Sequence, residues 1–347
     1  MKGSVVAIEP RADGAGDMAA LMVNGRLHDL LIDPPESNRL QPGAIYRGIL
    51  DRPVKGAGAA TVRLPDGQSG WLREAKGIRP GTALLVQVTT HAEPGKAAPL
   101  SPRPIFKSRY AIVTPGAPGL NVARSIKDEE GRDRLDVIAR EVMDGAESLG
   151  LVIRSAAAEA EDGAVADDIA EMRALAEQVL ADPGTEPELL VDAPGAATLA
   201  WRDWPTPDLV EDRAGSFADH GVLDEIELLH SPREPLSGGA WMSVEPTSAL
   251  VAVDVNTGGD FSPAAGLKAN LAALAALPRA LRLRGLGGQI VLDLAPSTKK
   301  LRPELEAAAR RALRADVVET QVVGWTPLGH LELNRKRERL PLTEVLP

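Results

Sequence analysis

The sequence predicts a multidomain α+β chain, and three observations carry that reading. Residues 249–293 read as a strand, a helix and a second strand, a βαβ unit whose crossover should be right-handed. Residues 43–105 hold short apolar segments at roughly 8–12-residue spacing, with Gly- and Pro-rich turns between them, the pattern of a small barrel. A length of 347 residues exceeds what one core organises and implies two or three domains.

From the N-terminus, residues 4–8 and 19–23 are apolar segments, Asn24-Gly25 is a type I′ hairpin signal, and residues 26–32 complete the hairpin. Residues 33–38 (Asp-Pro-Pro-Glu-Ser-Asn) read as a turn or linker. In the barrel segment the strands are expected at 45–50, 58–64, 69–72 and 82–89, and a loop with four Pro follows at 94–104. Trp71 is either an exposed aromatic or a barrel core residue. Residues 106–190 open with a strand at 109–115. A charged helix at 128–149 and a strand at 150–155 follow, then an amphipathic helix at 167–180, ended by Asp182-Pro-Gly. Arg154-Ser155 closes the second strand. A guanidinium fork beside a hydroxyl suits a phosphate, but by itself an Arg at a strand end is more often a plain surface charge.

Residues 191–238 are expected to pair with the N-terminal hairpin, with Trp201, Trp204 and Trp241 serving packing. After the βαβ unit come a helix at 303–314, a strand at 320–323 and a last strand at 328–333, closing on Asn334-Arg-Lys-Arg. Pro278 falls inside the crossover helix and should kink or restart it. Arg282 and Arg284, near its C-terminal end, suit either the helix dipole or a bound phosphate. Lys299, Lys300 and residues 335–337 could extend the same phosphate track.

Composition narrows the class. Hydrophobic residues at 44% and charged residues at 25% are ordinary for a globular protein, and with only 3% aromatics the cores must be built from Leu, Val, Ile and Ala. The chain has no Cys, which excludes disulfides and thiolate zinc sites and fits a cytoplasmic location. No secretory leader and no long uncharged apolar span is visible, so no membrane span is expected. The net charge of −10 is unevenly spread: residues 156–230 carry 19 acidic and 3 basic side chains, which leaves the remainder net positive. An acidic middle flanked by mildly basic parts is compatible with a local face for a polyanion.

The βαβ unit carries the chemistry. Residues 249–253 form an apolar run that stops at Asp254, and residues 289–292 repeat the form and stop at Asp293. Parallel strands end on the same edge of a sheet, so both carboxylates should leave at one rim, where open α/β sheets place their sites. A strand ending in Asp is also an ordinary way to start a turn. Two carboxylates brought together repel unless protonated or bridged by a cation, and Mg2+ is the usual bridge.

The segments Val253-Asp-Val-Asn-Thr-Gly258, Asn270, Leu281-Arg-Leu-Arg-Gly-Leu-Gly-Gly-Gln-Ile-Val-Leu-Asp293 and Leu328-Gly-His-Leu-Glu-Leu-Asn-Arg-Lys-Arg337 closely resemble the catalytic subdomain of the ribonuclease E/G family. The resemblance implies a DNase I-like catalytic subdomain at 239–347 and an RNase H-like subdomain from 1–42 and 191–238. It also implies an S1-type OB barrel at 43–105 and a 5′-sensor subdomain at 106–190. It assigns Asp254 and Asp293 to a catalytic Mg2+ and Asn256 to orienting the first Asp. Trp71 matches a base-stacking aromatic and Lys96 its basic partner, while the family's other stacking aromatic falls at Thr61. Arg154, Ser155, Ser108 and Ile112 match a pocket for a 5′-monophosphate.

The implied activity is Mg2+-dependent cleavage of single-stranded RNA, leaving 5′-phosphate and 3′-hydroxyl ends. The chain departs from the family pattern at Pro296, where a second Asp is usual, and in the few acidic residues between Gly259 and Asn270. It also lacks the Cys pair that links protomers through zinc, so a monomer or weak homodimer is expected in place of a zinc-linked tetramer. The competing reading is a non-catalytic or weakly active RNA-binding protein on the same fold. Arg282 and Arg284 are further candidates for contact with RNA phosphate.

Overall fold

In a computed structural model the chain is described over residues 3–346 except 36–38, 55, 57 and 94, so part of the turn at 33–38 and Pro94 of the proline loop lie outside the described residues. It divides into two compact units, one made of Met1–Ser37, Gly195–Ala197 and Pro207–Pro347, the other of Asn38–Pro194 and Thr198–Thr206. The fold is mixed α/β with a closed barrel.

The second unit contains that barrel. Strands Ile45–Val54, Ala59–Arg63, Ser69–Leu72, Ala98–Ser101 and Ala83–Val88 pair in that order, and Ala83–Val88 pairs back onto Ile45–Val54 to close the ring. Leu50, Val62, Leu72, Val86 and Leu100 fill it. Gly70 faces Leu100 so closely that a Cβ there would lie 2.4 Å from a Leu100 methyl, so the tight interior selects glycine. Strand Glu188–Val191 adds to the outside of Ile45–Val54. A second sheet joins Gly119–Val122, Leu149–Ile153, Ala111–Pro115 and Phe106–Lys107. Helices Glu129–Val142 and Asp162–Leu180 bury Leu135, Ile138, Val165 and Ile169 with it. The first of these helices starts where the Asp128 side chain accepts the Gly131 N–H at 2.6 Å. Residues 198–206, expected beside the N-terminal hairpin, belong to this second unit.

The first unit holds two sheets. One pairs Leu209–Asp212, Ser4–Pro10, Asp17–Val23 and Arg26–Ile32 in that order, and the turn between the last two carries positive φ at Asn24 and Gly25, as a type I′ turn requires. The other is six-stranded, in the order Arg233–Pro235, Trp241–Pro246, Val251–Asn256, Gly288–Asp293, Leu331–Arg335, Thr320–Trp325. Val251–Asn256 and Gly288–Asp293 are parallel and joined by helix Ala265–Leu283; their other neighbours are antiparallel. Met242, Val244, Val251, Val253, Val255, Ile290, Leu292, Leu331 and Leu333 all point to one side. Helices Ala265–Leu283 and Arg302–Arg314 pack there through Leu274, Leu277, Leu281, Leu305 and Leu313. The alternate residues form a face that carries no helix of this unit's core.

Helix Ala265–Leu283 runs unbroken through Pro278, where a kink or restart was expected. Leu274, Leu277 and Leu281 are almost fully buried around it, and that packing offsets the roughly 3 kcal/mol that a mid-helix proline costs. Asn270, fully buried on the same helix, donates to the Ala295 carbonyl at 2.9 Å and accepts the Ala295 N–H at 2.8 Å. This pair of hydrogen bonds ties the crossover helix to the chain just beyond Asp293. Gly266, four residues earlier, lets the helix approach the same segment: a Cβ there would lie 2.2 Å from the Pro296 carbonyl oxygen.

Asn270→Ala leaves both backbone groups of Ala295 buried without a partner. It is expected to cost about 1–3 kcal/mol, read as a lower urea midpoint with an unchanged slope.

Candidate active site

Strand register brings the two sequence-selected carboxylates together. Asp254 and Asp293 are directly paired across the parallel strands, and parallel neighbours lie about 4.8 Å apart. Their flanking residues Val253, Val255 and Leu292 are buried against the helices, so both Asp side chains project to the opposite, open face, where both are exposed. The sites therefore stand on a sheet face, not beyond its rim. Among the described residues the helices packed on this sheet lie on one side, and the period-two alternation turns the acids to the other.

Asn256, two residues on and on the same face, donates from Nδ2 to Asp254 Oδ2 at 2.7 Å. The last strand adds a residue that motif reading passed over. Leu331 pairs with Leu292, so the preceding His330 falls beside Asp293, its Nε2 3.7 Å from Asp293 Oδ1. The signal for it was present only in the register of the last strand. On the other flank, Ser243 is paired with Asp254 and its hydroxyl donates to Glu245. One row across the open face thus reads Arg233, Ser243, Asp254, Asp293, His330.

The donor set can be tested against a cation. Among the described residues no group of three or more His, Cys, Asp or Glu gathers around one point as a metal cage. That argues against a closed tetrahedral zinc site, which needs four protein ligands. Two neighbouring exposed carboxylates with solvent on the remaining side do fit Mg2+, which keeps several waters and takes one or two carboxylates together with substrate phosphate oxygens.

The arginines proposed as phosphate contacts are engaged elsewhere. Arg282 and Arg284 are 7% and 6% exposed. Arg282 donates to Asp29 at 3.1 Å and to the His28 carbonyl at 2.9 Å and pairs with Asp316; Arg284 donates to Glu234 at 3.2 Å. Arg335 is buried and pairs with Asp316 at 2.7 Å, and Arg337 donates to the Gly287 carbonyl. Arg282, Arg284 and Arg335 neutralise buried acids in this unit, so they correct the expectation of an exposed phosphate track at those positions.

In the second unit, Lys107, Ser108, Ile112 and Arg154 do come to one place: Ile112 pairs with Lys107, and Arg154 donates to the Ser108 carbonyl. Ser155 is exposed at the head of a short turn next to Arg154. The cations already hold an anion, however. Asp203 on helix Ala196–Asp203 receives Arg154 at 2.7 Å, Lys107 at 2.8 Å and Arg202 at 2.9 Å. Burial pushes the Asp203 carboxyl up, but the hydrogen bonds and charges of Arg202 and Lys107 outweigh it and hold the group at about 2. Arg154 also donates to the carbonyls of Arg109 and Arg202, and the Ser108 hydroxyl donates to Asp168 at 2.5 Å. A carboxylate thus occupies the position expected for a phosphate.

On the barrel, Gly70 and Leu72 point inward and Trp71 points out, partly exposed, between Thr61 and Pro99. Trp71 is therefore not a core residue. Lys96 is exposed and pairs with Glu93 at 2.6 Å, a surface contact of small energetic weight.

Comparison with known proteins agrees with the sequence resemblance. The profile of the Ribonuclease E/G family matches residues 106–211 and 207–338. Ribonuclease G of Escherichia coli K12 is 27% identical over 390 residues, covering 94% of this chain and 79% of its own. Ribonuclease G of Haemophilus influenzae is 25% identical over 389 residues, with 94% and 78% covered. Ribonuclease E of Synechocystis is 26% identical over 386 residues, covering 94% of this chain and 56% of its own.

The depressed Asp203 carboxyl has a pH consequence. A group whose folded value lies below its unfolded value of 3.8 stabilises the fold above that value and loses the contribution as pH falls toward about 2. Asp203→Asn is expected to lower the urea midpoint at neutral pH. The gap to the wild type should close as the pH is taken from about 4 to about 2.

Proposed function

The chain belongs to the ribonuclease E/G family, and from that premise we propose that its open six-stranded sheet face is the cleavage site of a Mg2+-dependent endonuclease for single-stranded RNA. That the protein is an endoribonuclease of RNA processing rests on the family itself. The observation that carries the assignment to this face is the in-register pair Asp254 and Asp293, with Asn256 holding one of the two carboxylates.

Asp254 and Asp293 would hold the ion through carboxylate oxygens. When bound, it supplies Lewis-acid stabilisation of the charge that develops on the phosphoryl oxygens. Asn256 keeps the Asp254 carboxylate in one rotamer, so the ligand oxygen need not be reordered during reaction. His330 stands beside Asp293 and offers a second polar edge to the scissile phosphate. A face on which both carboxylates are exposed suits a polymer better than a small molecule, which needs a concave pocket. Trp71, turned outward on the barrel, supports a separate stacking contact for exposed bases, and Lys96 supports a backbone contact. Among the described residues no helix is long and apolar enough to cross a membrane; we place the activity in the cytoplasm.

Stimulation by a 5′-monophosphate would require the phosphate to compete with Asp203 for Arg154 and Lys107. We therefore propose that the 5′ group has little effect on the wild type.

Cleavage of one fluorescent single-stranded RNA, carrying a 5′-monophosphate or a 5′-hydroxyl, tests the reading in Mg2+ and in EDTA. Cleavage should require Mg2+, and Asp254→Asn and Asp293→Asn should each lower kcat/KM by about 100-fold or more, the scale of losing charge stabilisation in the transition state. Rates on the two RNAs should agree within about 3-fold, since a phosphate that merely replaces Asp203 gains about as many contacts as it breaks. Binding without cleavage, unchanged in both variants, would leave an RNA-binding protein on a nuclease fold.

A further inference from the structure

We propose that Arg233 and Trp241 form a nucleotide-seating subsite on the open sheet face, with Trp241 stacking the base of a nucleotide that flanks the cleaved phosphate and Arg233 reaching a neighbouring phosphate. The inference rests on the nuclease reading of that face and adds residues that the metal pair does not involve.

The position of Trp241 follows from alternation. Met242 and Val244 on the same strand are 0% and 1% exposed and point into the core, so Trp241, Ser243 and Glu245 point to the other face. Trp241 is paired with Asn256, the residue that holds Asp254. One strand spacing, about 4.8 Å, therefore separates its backbone from that of Asn256. A tryptophan placed for packing would lie among the helices on the covered side. This one lies partly exposed on the side where the carboxylates are.

Arg233 sits over the Trp241 ring, with Cζ 4.4 Å from the centroid. It pairs with Ser243, which pairs with Asp254, so it occupies the same lateral row as the two carboxylates, two strands from the nearer one. Its charge is unspent. Arg279, Arg282, Arg284 and Arg335 in this unit are ion-paired with Glu225, Glu234, Asp29 or Asp316. Arg233 is exposed, and among the described residues no carboxylate pairs with it. Its chain neighbour Glu234 turns to the buried side and serves Arg284 and Arg279 instead.

A partly exposed indole under an exposed guanidinium presents two planar surfaces, and unpaired bases stack on both kinds. The guanidinium also carries the donors that bind phosphate oxygens. A single strand crossing the sheet along the row Arg233, Ser243, Asp254, Asp293 would meet a cation, then the carboxylate pair, with the ring beside them to seat one base. Duplex RNA has its bases stacked internally and offers none to Trp241, so the subsite selects unpaired RNA.

The test is cleavage of single-stranded RNAs in which one nucleotide at a time, on either side of the mapped cleavage site, is made abasic. The wild type should lose about 10-fold in kcat/KM at one flanking position, within the range for one stacked base. Trp241→Ala should lose a similar factor on intact RNA and become indifferent to the abasic nucleotide at that position. Trp241→Phe should keep the penalty. Arg233→Gln should lower the slope of log KM against log salt by about 0.7, as loss of one phosphate contact on a single strand predicts. Abasic penalties identical in wild type and Trp241→Ala, or a salt slope unchanged in Arg233→Gln, would overturn the subsite while leaving the nuclease intact. Absence of cleavage by the wild type on every RNA would overturn the nuclease reading, and the subsite with it.

Discussion

The parallel pairing of Val251–Asn256 with Gly288–Asp293 is the constraint on which the candidate site depends. A slip of one residue in either strand would turn its buried valines and leucines toward solvent and its Asp toward the helices. The apolar set Val251, Val253, Val255, Ile290 and Leu292 therefore fixes the carboxylates as firmly as it fixes the core. Asn270 adds to this from the crossover helix. By binding both backbone groups of Ala295, it sets where the chain goes after Asp293. A polar residue is tolerated at that depth because its amide nitrogen and oxygen are each hydrogen-bonded.

Charge in the protein is divided by burial. Arg282, Arg284 and Arg335 lie among apolar residues and are compensated by Asp29, Asp316 and Glu234, which would otherwise be buried anions. In the second unit Lys107, Arg154 and Arg202 converge on Asp203. What remains for a polyanion, among the described residues, is the set of exposed cations such as Arg233 and Lys96. The formal net charge of −10 is thus a poor guide to where RNA would bind, because local pairing decides which charges face solvent.

The open face also accounts for the small number of protein groups around the carboxylates. A buried metal site would need a full ligand set, since no water could complete it. A site on an uncovered sheet can leave those positions to water and phosphate. The same openness explains how Arg233 and Trp241 can stand within two strands of the carboxylates, the first exposed and the second partly so.

Much of this was legible in the sequence. The βαβ unit, the barrel strands, the Asn24-Gly25 hairpin and the candidate acids Asp254 and Asp293 are local patterns of apolar spacing, turn residues and motif, and local patterns survive folding. The sequence could not say whether Arg282 is a surface cation or the partner of Asp29, because those residues are joined only when the crossover helix packs on the strand Arg26–Ile32. Nor could it place Asp203 on Arg154, His330 beside Asp293, or Trp241 on the open side. The first depends on where helix Ala196–Asp203 packs, the other two on strand register and on which face the helices cover, and all are settled by packing between segments far apart in the chain.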